Sequence, residues 1–465
     1  RLMIKAWRLP APSVIISVTG GADTLQLNDK QKLVFRRGLL QACRRASTGG
    51  SGEEGEVPMA PWGFTGGTNS GVMELVGRTM HGLEADVTPP IPCIGIAPWG
   101  IVSQRQHMSA LPQHAGSPAA QHARSRGRGG QGTIAEEGGE EVRSSSGSGM
   151  GRRNYGDGEM GEGEAPADAD DDEAPAATRA AAPAGGKKRS RLGARYVYGS
   201  RPDDTSNDGR GVHGLDANHS HFLLVDNGNV GTDAYGTELP LRSALTGFIC
   251  RSDTPTFGVD EDGDALPKPP FVLLVLGGGP NTYQLVLYHL QKSRPVICLP
   301  DSGGAAYNIY QYISTGGNSF DGLEIDESDV KTMEAARRLL PQIKHYGEME
   351  MGANKEKQLT FFSTEMDVLA SNDLGTAILS AILSDCEKTV DAINLAVRWR
   401  DSEIIKGQLD ESQEVDASGI AKAFQNALLG RDHDVVATLV NYNAKAERIS
   451  MRKLIDSLTA SSSSA

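Results

Sequence analysis

The sequence predicts a doubly wound α/β domain built on a parallel, Rossmann-like sheet and followed by an all-α, repeat-like region. Three observations carry that prediction. Short apolar runs alternate with segments of helical periodicity over roughly the first 320 residues, the rhythm of βα units. The later runs, such as Phe271 to Leu276, are continuous Val/Ile/Leu/Phe, as expected of strands covered on both faces. Three of the strands open directly into glycine-rich turns: Thr19-Gly20-Gly21, Thr65 to Gly71, and Gly277 to Thr282. In a parallel sheet these turns all emerge on the carboxyl edge.

Before residue 110 the strand-like runs are Val14 to Val18, Trp62 to Thr65 and Cys93 to Ala97. Between them, Leu33, Phe35, Leu39, Leu40 and Cys43 recur at helical spacing, and Val72, Met73, Leu75 and Val76 form the apolar side of a second helix. From about Ala110 to Arg210 the composition turns to Gly, Ser, Ala, Pro and Arg, with an acidic run from Asp168 to Glu173 and a basic run from Lys187 to Arg191. Such composition cannot bury enough apolar surface to offset chain entropy, so residues 110–211 are expected to form a disordered insertion. The basic run fits a nuclear address or, more ordinarily, a solvated charge cluster. A shorter Gly/Ser/Glu-rich insertion is expected at 47–57.

The rhythm then resumes, with strands at His221 to Asp226, Phe271 to Leu276 and Pro295 to Leu299. Helices are expected near Leu239 to Ile249, Asn281 to Gln291 and Gly304 to Ile313. One domain over 12–320, interrupted twice, is the expectation. Beyond Asp321 the sequence shows no convincing strand. The segments Glu334 to Leu340, Asp373 to Ser384, Asp391 to Leu409, Ile420 to Leu429 and Asp434 to Val440 read as short helices, making 321–460 a helical region suited to protein contacts.

Composition narrows the function classes. The 465 residues carry a formal charge of −13, which argues against a nucleic-acid partner, and any anionic ligand must be held locally. The five cysteines are dispersed without a CxxC pair, the usage of reduced thiols in a cytosolic setting. No apolar run approaches the roughly 18 residues that cross a bilayer. Residue 1 is Arg and no leader pattern follows, so a piece of a longer chain is expected, touching a membrane only through a pore outside it.

Glycines at the carboxyl edge let backbone N–H groups approach a phosphate, and the helix that follows adds its positive N-terminal end. Candidate binding residues are therefore Thr19, Gly20 and Gly21 in the first loop and Gly66, Gly67 and Thr68 in the second. The third contributes Gly278, Gly279, Asn281 and Thr282. Neither GxxxxGK[ST] nor GxGxxG after the first strand is present, which argues against an ATPase or an ordinary NAD dehydrogenase. His219 and His221, with Asp216, offer too few ligands for a metal site, and hydrogen bonding to loops is the plainer role.

In their order these blocks resemble the SLOG superfamily, and within it the amino-terminal region of melastatin-type TRP (TRPM) channels. The matching stretches are Val14 to Ala22, Phe35 to Leu39, Thr65 to Met73, Ile94 to Gly100, Asn218 to Gly228, Tyr235 to Arg242 and Gly278 to Thr282. Leu395 to Trp399 and Ala427 to Leu429 are similar to the family's later helices. The resemblance implies a Rossmann-like domain of SLOG type that binds ADP-ribose or a related nucleotide as a gating ligand, needs no cofactor, and self-associates as a tetramer in a calcium-permeable cation channel. It also implies that Arg105 and Arg242 face the pyrophosphate, a role suited to guanidinium groups. Where relatives carry lysine and asparagine after Gly-Gly-Ala, this chain has Asp23 and Thr24, placing a carboxylate near that anion. The phosphoribohydrolase relatives carry a glutamate in the stretch where this chain has Gln284, which cannot accept a proton at neutral pH, so binding without catalysis is expected.

Overall fold

The computed structural model describes residues 2–22, 25–47, 59–82, 91–103, 213–251, 257, 268–351, 356–364, 373–386, 389–411, 417–430 and 432–442. Contacts divide the chain into two units, residues 1–109 with 197–465, and residues 110–196; all described residues lie in the first. The expected insertions 47–57 and 110–211, apart from Ser47 itself, fall outside the described residues, as do Asp23, Thr24 and Arg105.

Seven strands form one sheet: β1 (Ala11–Gly20), β2 (Met59–Thr65), β3 (Cys93–Pro98), β4 (His221–Val225), β5 (Phe271–Leu276), β6 (Val296–Leu299) and β9 (Leu359–Phe361). Their order is β4-β3-β2-β1-β5-β6-β9 and every neighbouring pair is parallel. A separate antiparallel pair, β7 (Glu350–Met351) and β8 (Glu356–Lys357), precedes β9.

Strand period explains how both faces are covered. On β1, Val14, Ile16 and Val18 turn to one face while Ile15 turns to the other; β5 divides likewise, Val272, Leu274 and Leu276 against Phe271, Leu273 and Val275. The first face is closed by α1 (Asp29–Ala46), α2 (Gly71–His81) and α7 (Leu374–Ser384), through Phe35, Leu39, Val76, Met80, Ile378 and Ile382. The second is closed by α3 (Leu239–Arg251), α4 (Pro280–Leu290), α5 (Gly304–Ser314) and α6 (Val330–Gly347), including Tyr283, Val286, Ile309 and Leu340. α1 starts where its sequence says it should: Asn28 accepts from the Gln31 N–H, and the Gln31 side chain accepts from the Asn28 N–H, a reciprocal capping box.

The expectation that strands end before Asp321 is corrected. β9 pairs with β6, and α6 and α7 cover the two faces, so the sheet layer extends to Ser384. A three-residue strand with one exposed position gives too little alternation to be seen in sequence. The helices with a core of their own begin later: α8 (Thr389–Arg398), α9 (Ser402–Glu411), α10 (Ala417–Leu429) and α11 (His433–Asn441), joined by Ile393, Ile405, Phe424, Val435 and Leu439. Asp391 to Leu409 is two helices rather than one. Arg400 takes a positive φ of 55°, and Asp401 accepts from the Ile404 N–H to start α9.

Among the described residues, no helix is long and apolar enough to cross a membrane. All five cysteines are free thiols, four of them buried. Burial pushes Cys43 and Cys250 up to about 12, so they stay protonated and inert.

A candidate nucleotide pocket at the topological switch point

Strand order places the pocket. From β1 the chain moves outward through β2, β3 and β4, then returns to the other side of β1 with β5 and proceeds to β6 and β9. The chain after β1 and after β5 therefore runs to helices on opposite faces, α1 and α4, leaving a crevice at the carboxyl edge above the two turns. A cavity of about 640 Å³ lies there, within the range of small-molecule sites.

Ten of the twelve candidate residues line this one cavity: Thr19, Gly20, Gly21, Gly66, Thr68, Arg242, Gly278, Gly279, Asn281 and Thr282. Gly67 does not line it. At φ 73° Gly67 instead makes a close backbone crossing with β3, where a Cβ would lie 2.7 Å from the Gly95 Cα. Gly20 is required by a similar approach, since a Cβ would meet the Leu276 carbonyl oxygen at 1.7 Å. That contact is what keeps the β1 and β5 turns together as a floor, with the Gly21 N–H donating to the Leu276 carbonyl at 2.9 Å.

The third loop is the anion-ready part. Gly279 caps α4 with Pro280 at the first helical position, and the N–H groups of Gly278, Gly279 and Asn281 donate to no acceptor among the described residues. Free amides at the start of an eleven-residue helix, with the positive end of its dipole, favour a negatively charged group.

Arg242 sits beneath the cavity and is only 3% exposed. Its Nη2 donates to the Val18 carbonyl at 2.5 Å, Ser17 Oγ at 2.8 Å and the Phe64 carbonyl at 3.2 Å, tying together the ends of β1 and β2. Its Nε has no hydrogen-bond partner. Burial lowers its pKa to about 10, which leaves it charged at neutral pH. One turn earlier, Glu238 also lines the cavity, and its Oε2 is likewise unpartnered. Burial is the larger influence on Glu238 and raises its pKa; the Arg242 charge opposes this. The family resemblance pointed to Arg242 as a partner of an anion, but side-chain direction has no sequence signal, and the structure turns Nη2 toward the strand ends.

His219 and Asp216 have a structural task. Asp216 Oδ2 lies 2.7 Å from His219 Nδ1, His219 Nε2 lies 2.6 Å from Thr65 Oγ1, and Thr65 Oγ1 accepts from the Gly67 N–H at 2.8 Å. All three side chains are buried, and the relay fixes the loop that carries Gly66 and Thr68. His221 is half-buried and packs against Trp7 instead. No cluster of three potential metal ligands occurs among the described residues.

Gln284 is exposed on α4 and does not line the cavity. Sequence reasoning missed Gln26, Asn308, Glu324, Asp326, Asp329 and Thr332, which do. Glu324, Asp326 and Asp329 come from the segment between α5 and α6 and Thr332 from the first turn of α6, a stretch that follows a helix rather than a strand; only the folded sheet edge brings it to the pocket.

A doubly wound parallel sheet with a crevice at its switch point defines a Rossmann-like domain. Residues 1–128 and 187–327 match the family described as SLOG in TRPM, and the chain belongs to that family. It is 27% identical over 450 residues to transient receptor potential cation channel subfamily M member-like 2 of Nematostella vectensis, covering 92% of this chain and 22% of that protein. It is 26% identical over 415 residues to subfamily M member 1 of Mus musculus, covering 88% and 19% respectively. With subfamily M member 2 of Rattus norvegicus it shares 27% identity over 318 residues, 67% of this chain and 14% of the relative. The chain thus spans about a fifth of the length of these channel proteins, or less.

Proposed function

We propose that this chain is the cytosolic, nucleotide-sensing regulatory region of a TRPM-type, calcium-permeable cation channel, and that ADP-ribose or a related nucleotide binds in the switch-point cavity. The observation that carries the reading is the convergence of three glycine-bearing loops, a helix start with free N–H groups and the buried Arg242 on one cavity. Occupancy acts on a gate elsewhere only if the ligand binds the two gating states with different affinity. In this reading the pocket binds without turnover, the helical region contributes to tetramer assembly, and the membrane is reached through a pore outside this chain.

Calorimetric titration of the purified chain with ADP-ribose tests the reading. Gly279 is the position for a clean block, because a Cβ there would meet nothing within 4 Å and its extended backbone accepts any residue. Gly279→Val should weaken binding at least tenfold, about 1.4 kcal/mol, with only a small fall in melting temperature from the poorer N-cap residue. Wild-type protein that binds nothing at millimolar ADP-ribose would favour a scaffold whose pocket is vestigial. Release of free base from a nucleoside monophosphate by the purified chain would instead favour a phosphoribohydrolase.

A further inference from the structure

The cavity that accepts the proposed nucleotide is lined, besides Glu238, by three carboxylates from a single segment. Glu324, Asp326 and Asp329 all line it, while Arg242 is the one cationic side chain among its described lining residues. Two of these acids are engaged within their own segment: Asp326 accepts from the Ser328 N–H and Oγ, and Asp329 caps α6 by accepting from the Thr332 N–H. Glu324 differs, because its Oε2 accepts at 3.2 Å from the N–H of Gly304, the first residue of α5.

That position is one a ligand's anion would favour. The start of α5 abuts the free start of α4, with the Ala305 N–H donating to the Gly278 carbonyl and the Ala306 N–H to the Gly277 carbonyl. A carboxylate on one helix start and a phosphate on its neighbour repel each other in the mouth of a partly desolvated cavity. The backbone of Glu324 is firmly held: its N–H donates to Asn308 Oδ1 at 2.6 Å, and Asn308, 1% exposed, donates back to the Glu324 carbonyl at 3.4 Å. Its side chain is exposed and its one hydrogen bond among the described residues is to Gly304, so it can leave without unfolding the segment. Deeper in the same cavity lies Arg242, 3% exposed, whose Nε has no hydrogen-bond partner among the described residues and whose charge favours an anionic ligand.

We propose that Glu324 is a built-in competitor for the anion position of this pocket, a residue that lowers affinity for phosphate-bearing ligands and sets the concentration at which they bind. The proposal rests on the nucleotide-site reading above. It predicts a sign as well as a site, because a carboxylate that instead accepted from a sugar hydroxyl would help the ligand and its removal would weaken binding.

The test is calorimetry on the whole chain with ADP-ribose, inorganic pyrophosphate and uncharged adenosine, for wild type, Glu324→Gln and Gly279→Val. Glu324→Gln keeps an oxygen acceptor for the Gly304 N–H, so an unchanged melting temperature is expected. Binding of ADP-ribose and pyrophosphate should tighten about two- to fivefold, the scale of one charge at a helix start, and adenosine affinity should not change. Binding detectable only in Glu324→Gln also supports the proposal. Unchanged or weaker binding of the phosphate probes in Glu324→Gln, with loss in Gly279→Val, overturns the competitor and leaves the pocket standing. Absence of binding in both wild type and Glu324→Gln overturns the competitor and the nucleotide reading together.

Discussion

At the scale of single residues, the pocket contains two charged groups that the fold leaves partly unsatisfied. Arg242 offsets the cost of burial with three hydrogen bonds from Nη2 to the ends of β1 and β2. Glu238 leaves its Oε2 without a partner, and burial raises its pKa against backbone hydrogen bonds and the Arg242 charge, which lower it. A carboxyl whose folded pKa lies above its unfolded one costs no stability while both states are protonated. Its penalty grows as pH rises through the interval from its ordinary value, 4.5, to the folded one. Glu238→Gln should therefore melt at a higher temperature than wild type above neutral pH, with the two curves converging near pH 4. Thermal unfolding across that pH range measures it, and a constant offset would mean that packing rather than ionisation limits the site. Legibility at this scale was uneven. Thr19, Gly20, Gly278 and Thr282 could be placed at the cavity because three glycine-rich turns follow strands on one sheet edge, although Gly20 is also demanded by its close approach to the Leu276 carbonyl. Glu238 was in the quoted stretch Tyr235 to Arg242 without being singled out, and Glu324 was beyond reach because its role depends on a contact across the sheet edge.

At the scale of elements, the sheet and its first helices were legible because their apolar periodicity is strong. The last layer was not. α7 was expected within a helical region, yet it lies across α1 on the face of the main sheet. What permits this is a pair of small residues: Gly38 on α1 faces Leu374 and Gly375 on α7, and a Cβ at Gly38 would sit 2.6 Å from the Leu374 Cβ and 3.0 Å from the Gly375 backbone nitrogen. Helices this close tolerate no added methyl without a shift of backbone. Gly38→Ala, although favourable to an isolated helix, should destabilise the fold by about 1–3 kcal/mol through overpacking. Urea unfolding should show a lower midpoint with an unchanged slope. A rise in the midpoint would show that α7 is loosely apposed and that the sheet layer ends before it. The break between α8 and α9 was hidden for a related reason. Arg400 carries no glycine signal for its positive φ, and the Arg45–Asp401 ion pair at 2.8 Å, which ties the break to α1, joins residues 356 positions apart.

At the scale of the whole molecule, one sheet is closed across a long insertion. The segment 104–212 departs after β3 and returns before β4, and its two ends are tied to each other. The Ser103 N–H donates to the His213 carbonyl at 2.8 Å, and the His213 N–H donates to the Ile101 carbonyl at 2.9 Å. Val102 and His213 form an isolated parallel bridge, and β3 and β4 pair directly beyond it. The core residues on both sides of the excision, Ile94, Ile96 and Leu223, meet in one cluster that takes nothing from the insertion among its described members. Folding must close this loop in any case, and the entropic cost scales with the logarithm of its length. Replacing 104–212 with a Gly/Ser linker of about ten residues should lower that cost by roughly 2 kcal/mol, from (3/2)RT ln of an about elevenfold length ratio. The shortened chain should unfold in one cooperative transition at a temperature equal to or above that of wild type. It would also lose Arg105, so its ADP-ribose affinity separates the two roles of the segment: unchanged affinity assigns the pocket to the described residues, whereas a loss of tenfold or more returns Arg105 to the site. A shortened chain without a cooperative transition would make the insertion part of the fold, and the bridge between Val102 and His213 too weak to seat β4.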